Sequence, residues 1–212
     1  NKNGFNMKHS IFILMGLFIM YSSYSYANAE LFDSERNYQT INPNEDIKKL
    51  FEDEKYQKII DEYGSRPRQL SAEELIFVSQ AYIHLDSSNS ENLKQAIQYA
   101  DIAIQKDKEY AYAHYTRALI GYYIGNYELA LSSLDKALAL SPQTSEYYTT
   151  LGDTYFAMEN YAKALANYQM AIQLPNATDN TYFMIGTTLA NQGKDAEALE
   201  AFYIAKNKII RA

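Results

Sequence analysis

Apolar and small positions in the second half of the chain recur with the spacing of amphipathic helices. Ala130 and Ala137 lie seven positions apart, with Leu134 between them. Because residues seven apart share one face of a helix, these three predict a stripe that packs closely against a neighbouring helix. The stripe returns twice at intervals of 34 residues, as Ala164, Tyr168 and Ala171 and as Ala198, Phe202 and Ala205. The pattern predicts a helical repeat with this period.

Each repeat predicts an apolar first helix, a turn, a second helix and a short linker. Residues 111–144, 145–178 and 179–212 align without a gap, and glycine or asparagine marks the turns. Upstream, 71–110 fits a further copy if five residues are inserted in the turn from Asp86 to Glu91, because surface turns tolerate insertions. Residues 44–70 fit a degenerate first copy, as expected of a terminal repeat.

The best-preserved copy carries its motif residues in a fixed order, namely Tyr148, Leu151, Gly152, Tyr155, Ala164, Tyr168 and Ala171. This pattern resembles the tetratricopeptide repeat (TPR) family, and the chain is similar to exported bacterial members of it. The resemblance implies an all-α fold, a right-handed superhelical solenoid of antiparallel helix pairs. The copy from Ala111 differs from the motif because His114 and Arg117 occupy two places that are usually apolar.

The start of the chain has the order of a secretory signal peptide. Lys8 precedes an apolar run over 11–20, and Ala27 and Ala29 form a small-x-small cleavage site. We expect residues 1–6 to be upstream or cloning-derived, 7–29 to be the signal peptide and 30–43 to be a linker. Ten apolar residues are too few for a membrane span, which needs about 20. Cleavage after Ala29 then leaves a periplasmic or secreted protein with no stable membrane span.

Composition and charge restrict the classes of partner and the cellular compartment that the sequence predicts. The chain has no cysteine, so no disulfide is available, and this favours the bacterial periplasm over an animal secretory route. Without Lys2 and Lys8 of the leader, the 19 basic residues become 17 against 26 acidic residues. Such an acidic protein repels nucleic acid and anionic lipid, so we expect neither as a partner.

Catalytic and metal-binding patterns are missing from the sequence. Histidine occurs only at positions 9, 84 and 114, and neither His84 nor His114 has a second ligand at metal spacing. The acidic run from Glu52 to Glu54 fits a solvated turn better than a carboxylate site. We therefore expect no enzyme activity, no metal and no cofactor.

The resemblance implies that the first helices line a concave groove and that five places in each copy point into it. These places predict a peptide-binding groove formed by Tyr112, Tyr115, Leu119, Tyr122, Tyr123, Thr149, Asp153, Phe156 and Phe183. Tyr112 and Tyr115 are expected to face the ligand, whereas Tyr122 and Tyr123 suit either the groove or packing between repeats. An acidic groove edge at Glu73, Glu146 and Asp153 favours neutral or basic segments.

These features predict a non-catalytic scaffold or adaptor of the cell envelope that binds a protein or peptide partner. Two alternatives remain open. The chain could be the repeat module of a larger envelope protein whose activity lies in a C-terminal domain, or an accessory subunit that presents substrate to a separate enzyme. Leu199, Phe202, Ile209 and Ile210 also predict an open apolar face at the C-terminal end, which suits self-association.

Overall fold

The computed structural model describes residues 46–209, which form ten α-helices and no strand. The helices are α1 (Ile47–Glu52), α2 (Tyr56–Tyr63), α3 (Ala72–Leu85), α4 (Ser90–Lys106), α5 (Ala111–Tyr123), α6 (Tyr127–Leu140), α7 (Ser145–Ala157), α8 (Tyr161–Gln173), α9 (Asp179–Asn191) and α10 (Asp195–Ile209). The predicted all-helical repeat fold is confirmed. The predicted leader, the linker over 30–43 and Ile210 lie outside the described residues.

Consecutive helices pack as pairs, and the pairs stack in chain order. The first helices of neighbouring copies, α1, α3, α5, α7 and α9, also contact one another, whereas the second helices of neighbouring copies make no comparable contact within residues 46–209. Helices that stay close together lie on the inner side of a curved stack. The first helices therefore line the concave side, as expected, and the second helices lie on the convex side.

The turn between the two helices of a pair has the same backbone conformation in several copies. Gly125 and Gly193 have φ angles of 72° and 75°, in the left-handed region that follows many helix C-termini. Glu159 occupies the equivalent place at 58°, and Glu54 adopts 56° in the exposed turn between α1 and α2. The degenerate first copy thus shares the turn geometry of the well-preserved copies, although its sequence retains little of the motif.

Asparagine begins the second helix of two copies. The side chain of Asn126 accepts a hydrogen bond from the amide of Leu129 at 3.0 Å, and that of Asn160 accepts one from Lys163 at 3.2 Å. A side-chain acceptor at this position satisfies an amide that has no partner within the helix. The Asn in the predicted turns is therefore a helix cap as well as a turn residue.

The predicted close contact between paired helices is present at both glycines of the motif. A Cβ atom added to Gly152 would lie 2.5 Å from Cε1 of Tyr168, and one added to Gly186 would lie 2.7 Å from the Phe202 ring. Both aromatic rings are buried. In the copy from Ala111, the equivalent pair is Ala118 and Leu134, where a smaller second-helix side chain accompanies a larger first-helix residue. The two places vary together so that their combined volume fills the interface.

The five extra residues of the copy from Ala72 are mostly helical rather than confined to a turn. Ser90, the first residue of α4, precedes the motif residue Ala96 by six positions. Tyr127, the first residue of α6, precedes the equivalent Ala130 by three. The insertion predicted for the turn thus lengthens α4 by about one helical turn.

Polar partners accommodate the two unusual residues of α5. The Arg117 guanidinium donates from Nε to Oδ1 of Asp101 at 2.7 Å and from Nη1 to the hydroxyl of Ser133 at 3.1 Å. Asp101 lies on α4 and Ser133 on α6, so one side chain joins the second helices of two neighbouring copies through α5. Nε2 of His114 lies 3.0 Å from the carbonyl of Lys108. Each of the two residues that differ from the motif therefore has a polar partner in the structure of this copy.

Candidate functional site

The structure divides the predicted groove residues into two groups. Six of them remain at least partly exposed on the first helices, namely Tyr112, Leu119, Tyr122, Tyr123, Asp153 and Phe156. The other three, Tyr115, Thr149 and Phe183, are only 1%, 5% and 7% exposed. The prediction that these three side chains line the groove is wrong, because a ligand on the concave face cannot reach them.

The three buried residues share one position, the fifth in each copy. The Tyr115 ring stacks on the Tyr147 ring of α7, with centroids 4.8 Å apart. The Thr149 hydroxyl lies 3.1 Å from that of Thr181 on α9. Since the first helices are close together on the concave side, the fifth side chain fills the space between neighbouring copies. Phe183, in the last copy, packs instead on Phe202, with centroids 5.1 Å apart.

Tyr112 belongs mainly to the packing between copies. Its hydroxyl accepts a hydrogen bond from Nε2 of Gln80 on α3 at 2.6 Å, and its ring lies 5.5 Å from that of Tyr115. Burial, with a smaller contribution from the Glu146 charge, raises the pKa of its phenol far above the ordinary value. Tyr112 therefore presents only part of its ring to a ligand.

Glu146 lies half-buried among these tyrosines. Its Oε1 accepts a hydrogen bond from the Tyr115 hydroxyl at 2.8 Å, and burial raises the pKa of its carboxyl. The sequence placed Glu146 on the groove edge but gave no sign of this pairing. The pairing depends on Tyr115 being turned towards α7, so it forms only when the two neighbouring copies are packed together.

Tyr122 and Tyr123, for which the sequence left the groove and packing between repeats as alternatives, differ in exposure. Tyr123 is 44% exposed, whereas Tyr122 is half-buried and lies with its ring centroid 6.4 Å from that of Tyr127. The two neighbouring rings meet edge to face with centroids 5.7 Å apart. Tyr123 is therefore a surface residue, and Tyr122 is partly covered by its neighbours.

Asp153 lies half-buried on α7. Its Oδ1 accepts a hydrogen bond from the Tyr168 hydroxyl at 2.7 Å. Burial raises the pKa of the Asp153 carboxyl to about 6. Burial and then the charge of Asp153 raise the pKa of Tyr122 to about 12, and the same two causes raise the pKa of Tyr123. We call Asp153, Tyr122 and Tyr123 the Asp153 patch.

Apolar side chains continue the surface beyond this patch. Ile124 and Met158 are exposed immediately after α5 and α7, and Leu85 is exposed at the equivalent place at the end of α3. An open depression lies at this edge, lined by Ile124, Gly125, Asn126, Tyr127, Glu128 and Met158. These residues were not among the predicted groove residues, although their common place, the fourteenth of each copy, recurs in the repeat alignment.

The apolar side chains predicted to be exposed near the C-terminal end are only partly so. Phe202 is buried against Gly186 and Phe183, because it fills the contact between α9 and α10. Leu199 is exposed as expected, and Tyr203 and Ile204 are exposed beside it on α10. The side chain of Ile209, together with Ile210, lies outside the described residues.

Asp153→Asn is expected to raise the free energy of unfolding by about 1 kcal/mol at about pH 7.5, and the melting temperature by about 2–4 °C. The carboxyl has a raised pKa, so its charged form costs stability, although losing the charge also weakens the bond from Tyr168. As the pH falls through about 6 towards about 4, folded wild type binds a proton and gains stability, so the difference shrinks. The groups that face Asp153, Tyr122, Tyr123 and Tyr168, are phenols that stay neutral throughout this range.

Thermal unfolding followed by circular dichroism at several pH values measures this effect. Asp135→Asn is the matched control, because Asp135 is exposed on α6. A variant less stable than wild type at about pH 7.5 would show instead that the Asp153 charge stabilises the fold.

Within residues 46–209, no three His, Asp or Glu side chains come together as metal ligands would. None of the helices described there combines the length and the apolar character that a bilayer crossing requires.

Comparison with known proteins supports the repeat assignment. Family models described as tetratricopeptide repeat match residues 88–145 and 145–178. No curated protein sequence matches the chain at a significant level.

Solved structures share the fold. A crystal structure of MamA is 22% identical with a TM-score of 0.59, and the match covers 74% of this chain and 85% of MamA. MamA from Desulfovibrio magneticus RS-1 is 20% identical with a TM-score of 0.58, covering 77% and 95%. YrrB, described as a TPR protein with an unusual peptide-binding site, is 24% identical with a TM-score of 0.53, covering 72% and 73%. The repeat matches and the shared all-helical solenoid show that this chain is a tetratricopeptide repeat protein.

Proposed function

We propose that this protein is a non-catalytic scaffold or adaptor that binds a peptide segment of a partner on its concave face. The observation that carries the proposal is the exposed Tyr123 ring beside the half-buried carboxylate of Asp153. Tyrosine offers a large contact area with little side-chain entropy to lose, and its hydroxyl can hydrogen-bond to a peptide backbone. Such rings are enriched among the residues that dominate protein interfaces.

The surroundings of Tyr123 support binding of an extended or helical segment. Leu119 and Phe156 are partly exposed on the same concave side, and Ile124 and Met158 supply apolar surface at its edge. Together they supply apolar surface on the same side of the repeat stack as the Asp153 carboxylate. This composition suits a peptide more than a small polar metabolite, which would need several converging polar groups. YrrB, which shares the fold, is itself described as having a peptide-binding site.

Tyr123→Ala is expected to weaken peptide binding by at least about tenfold, which corresponds to about 1.4 kcal/mol. The probes are peptides selected from a random library displayed on phage, with the full chain as bait and affinities measured by fluorescence anisotropy. Because Tyr123 is a surface residue, the change should leave the melting temperature nearly unaltered.

Tyr203→Ala is the matched control for this experiment. Tyr203 is 66% exposed and lies on α10, a second helix. Peptides that bind Tyr123→Ala as tightly as wild type, or that lose affinity only with Tyr203→Ala, would place the binding surface outside the groove.

We also propose that the protein is exported and works in the cell envelope, in the periplasm or beyond it. The support is the order of a basic residue, an apolar run and a small-x-small site before Glu30. Export predicts that the protein recovered from its own cells begins at Glu30, which N-terminal peptide mass spectrometry can measure. A mature protein that retains 7–29 would contradict cleavage.

A further inference from the structure

The Asp153 carboxylate has an uneven set of partners. Tyr168 donates a hydrogen bond to Oδ1, and within residues 46–209 no donor binds Oδ2 and no Lys, Arg or His forms an ion pair with either oxygen. A half-buried carboxylate without a cation is costly, because burial removes part of its water and the hydrogen bond from Tyr168 replaces only part of that solvation. The position therefore costs the fold stability unless a cation arrives from elsewhere.

Two aromatic rings lie close enough to Asp153 to respond to its charge. The Asp153 charge contributes to the raised pKa of both Tyr122 and Tyr123, which stand on the neighbouring first helix. The Tyr123 ring is exposed, and the Tyr122 ring meets it edge to face. A carboxylate next to an exposed aromatic ring attracts a cation in two ways, through the ion pair and through the electron-rich ring face.

Two basic side chains, on α8 and α5, are engaged with other groups. Lys163 lies over the Tyr155 ring at 5.0 Å, and Arg117 pairs with Asp101 on the opposite side of α5 from the tyrosine rings. The chain as a whole carries 26 acidic residues against 19 basic ones. Its field thus draws basic segments towards the surface and repels acidic ones.

We propose that the Asp153 patch binds the side chain of a lysine or arginine in the partner segment, which makes the groove selective for basic peptides. This proposal rests on the peptide-binding function proposed above and names the chemistry of its ligand. The cation pairs with Oδ2 of Asp153 and lies against the rings of Tyr122 and Tyr123. The rest of the segment follows the apolar edge formed by Ile124 and Met158.

The test is a double-mutant cycle between the full chain and its selected peptides. Each selected peptide is synthesised again with its lysine replaced by norleucine or its arginine by citrulline, which keeps the length and removes the charge. The chain is used as wild type, as Asp153→Asn and as the convex-face control Asp135→Asn. Melting curves establish that each variant is folded.

We expect the selected peptides to be enriched in lysine or arginine. Loss of the peptide charge should weaken binding to wild type by about tenfold, and Asp153→Asn should weaken binding of the charged peptide by a similar factor. The two changes together should cost little more than either alone, since they remove the same interaction. Asp135→Asn should bind like wild type.

Two results would overturn the proposal, and they have different consequences for the proposed peptide-binding function. If neutral peptides bind equally well and Asp153→Asn has no effect, while Tyr123→Ala still abolishes binding, the groove binds peptides without selecting a cation. If neither Asp153→Asn nor Tyr123→Ala alters binding, the concave face is not the peptide site, and the proposed function fails with the inference.

Discussion

Tyr115→Ala is expected to lower the free energy of unfolding by about 3–5 kcal/mol and the melting temperature by about 10 °C. The Tyr115 side chain is 1% exposed and fills the space between α5 and α7. Its removal leaves a cavity beside Tyr147 and takes the hydrogen-bond donor from Glu146. Thermal and urea unfolding, followed by circular dichroism, measure the loss.

Two further variants separate the causes of this loss. Tyr115→Phe keeps the ring but removes the hydroxyl, so it should cost only about 1–2 kcal/mol, the penalty of leaving Glu146 without its donor. Tyr123→Ala removes the same atoms from the exposed neighbour on α5 and should cost less than about 1 kcal/mol. If Tyr115→Ala melts at the same temperature as wild type, the Tyr115 ring lies on the groove surface and not between the copies.

Gly152→Leu is the second change with a large expected effect, a loss of at least about 3 kcal/mol. A leucine gains up to about 1 kcal/mol of helix propensity over glycine, but its Cβ would lie 2.5 Å from the Tyr168 ring. The steric term is larger, because both helices are fixed by neighbouring copies. Thermal unfolding gives the sign and the size of the net effect.

The chain itself supplies a rescue variant for this prediction. Where the copy from Ser145 has Gly152 and Tyr168, the copy from Ala111 has Ala118 and Leu134, and both are fully buried. Gly152→Ala alone should destabilise, whereas Gly152→Ala combined with Tyr168→Leu should recover part of the loss. If the double variant is as unstable as the sum of its parts, the contact is not limited by volume.

The sequence predicted the features that local geometry determines. A seven-residue alanine spacing, a glycine opposite an aromatic residue and a Gly-Asn turn each follow from one helix or one helix pair. Accordingly Ala130, Ala164 and Gly152 lie where the motif places them. These positions could be read from a single copy and verified in the next.

The groove was harder to predict because it depends on how neighbouring copies meet. Tyr115 and Tyr123 are both tyrosines of α5 at places that the family pattern directs to the ligand, yet one is buried and the other exposed. Tyr115 is buried because it packs on Tyr147 of the next copy, a contact that no helical period encodes. The raised pKa of Asp153 likewise comes from its burial in the folded chain, and the Tyr168 hydrogen bond that opposes this shift joins residues 15 positions apart.

The fifth side chains act as spacers between neighbouring first helices. Ile76, Tyr115 and Thr149 differ in volume, and each is buried in the space that separates one copy from the next. Interaxial distance between packed helices depends on the size of the side chains at their contact. The curvature of the concave face therefore depends on buried positions that no ligand touches. Substitutions there are expected to change binding specificity while every contact residue stays the same.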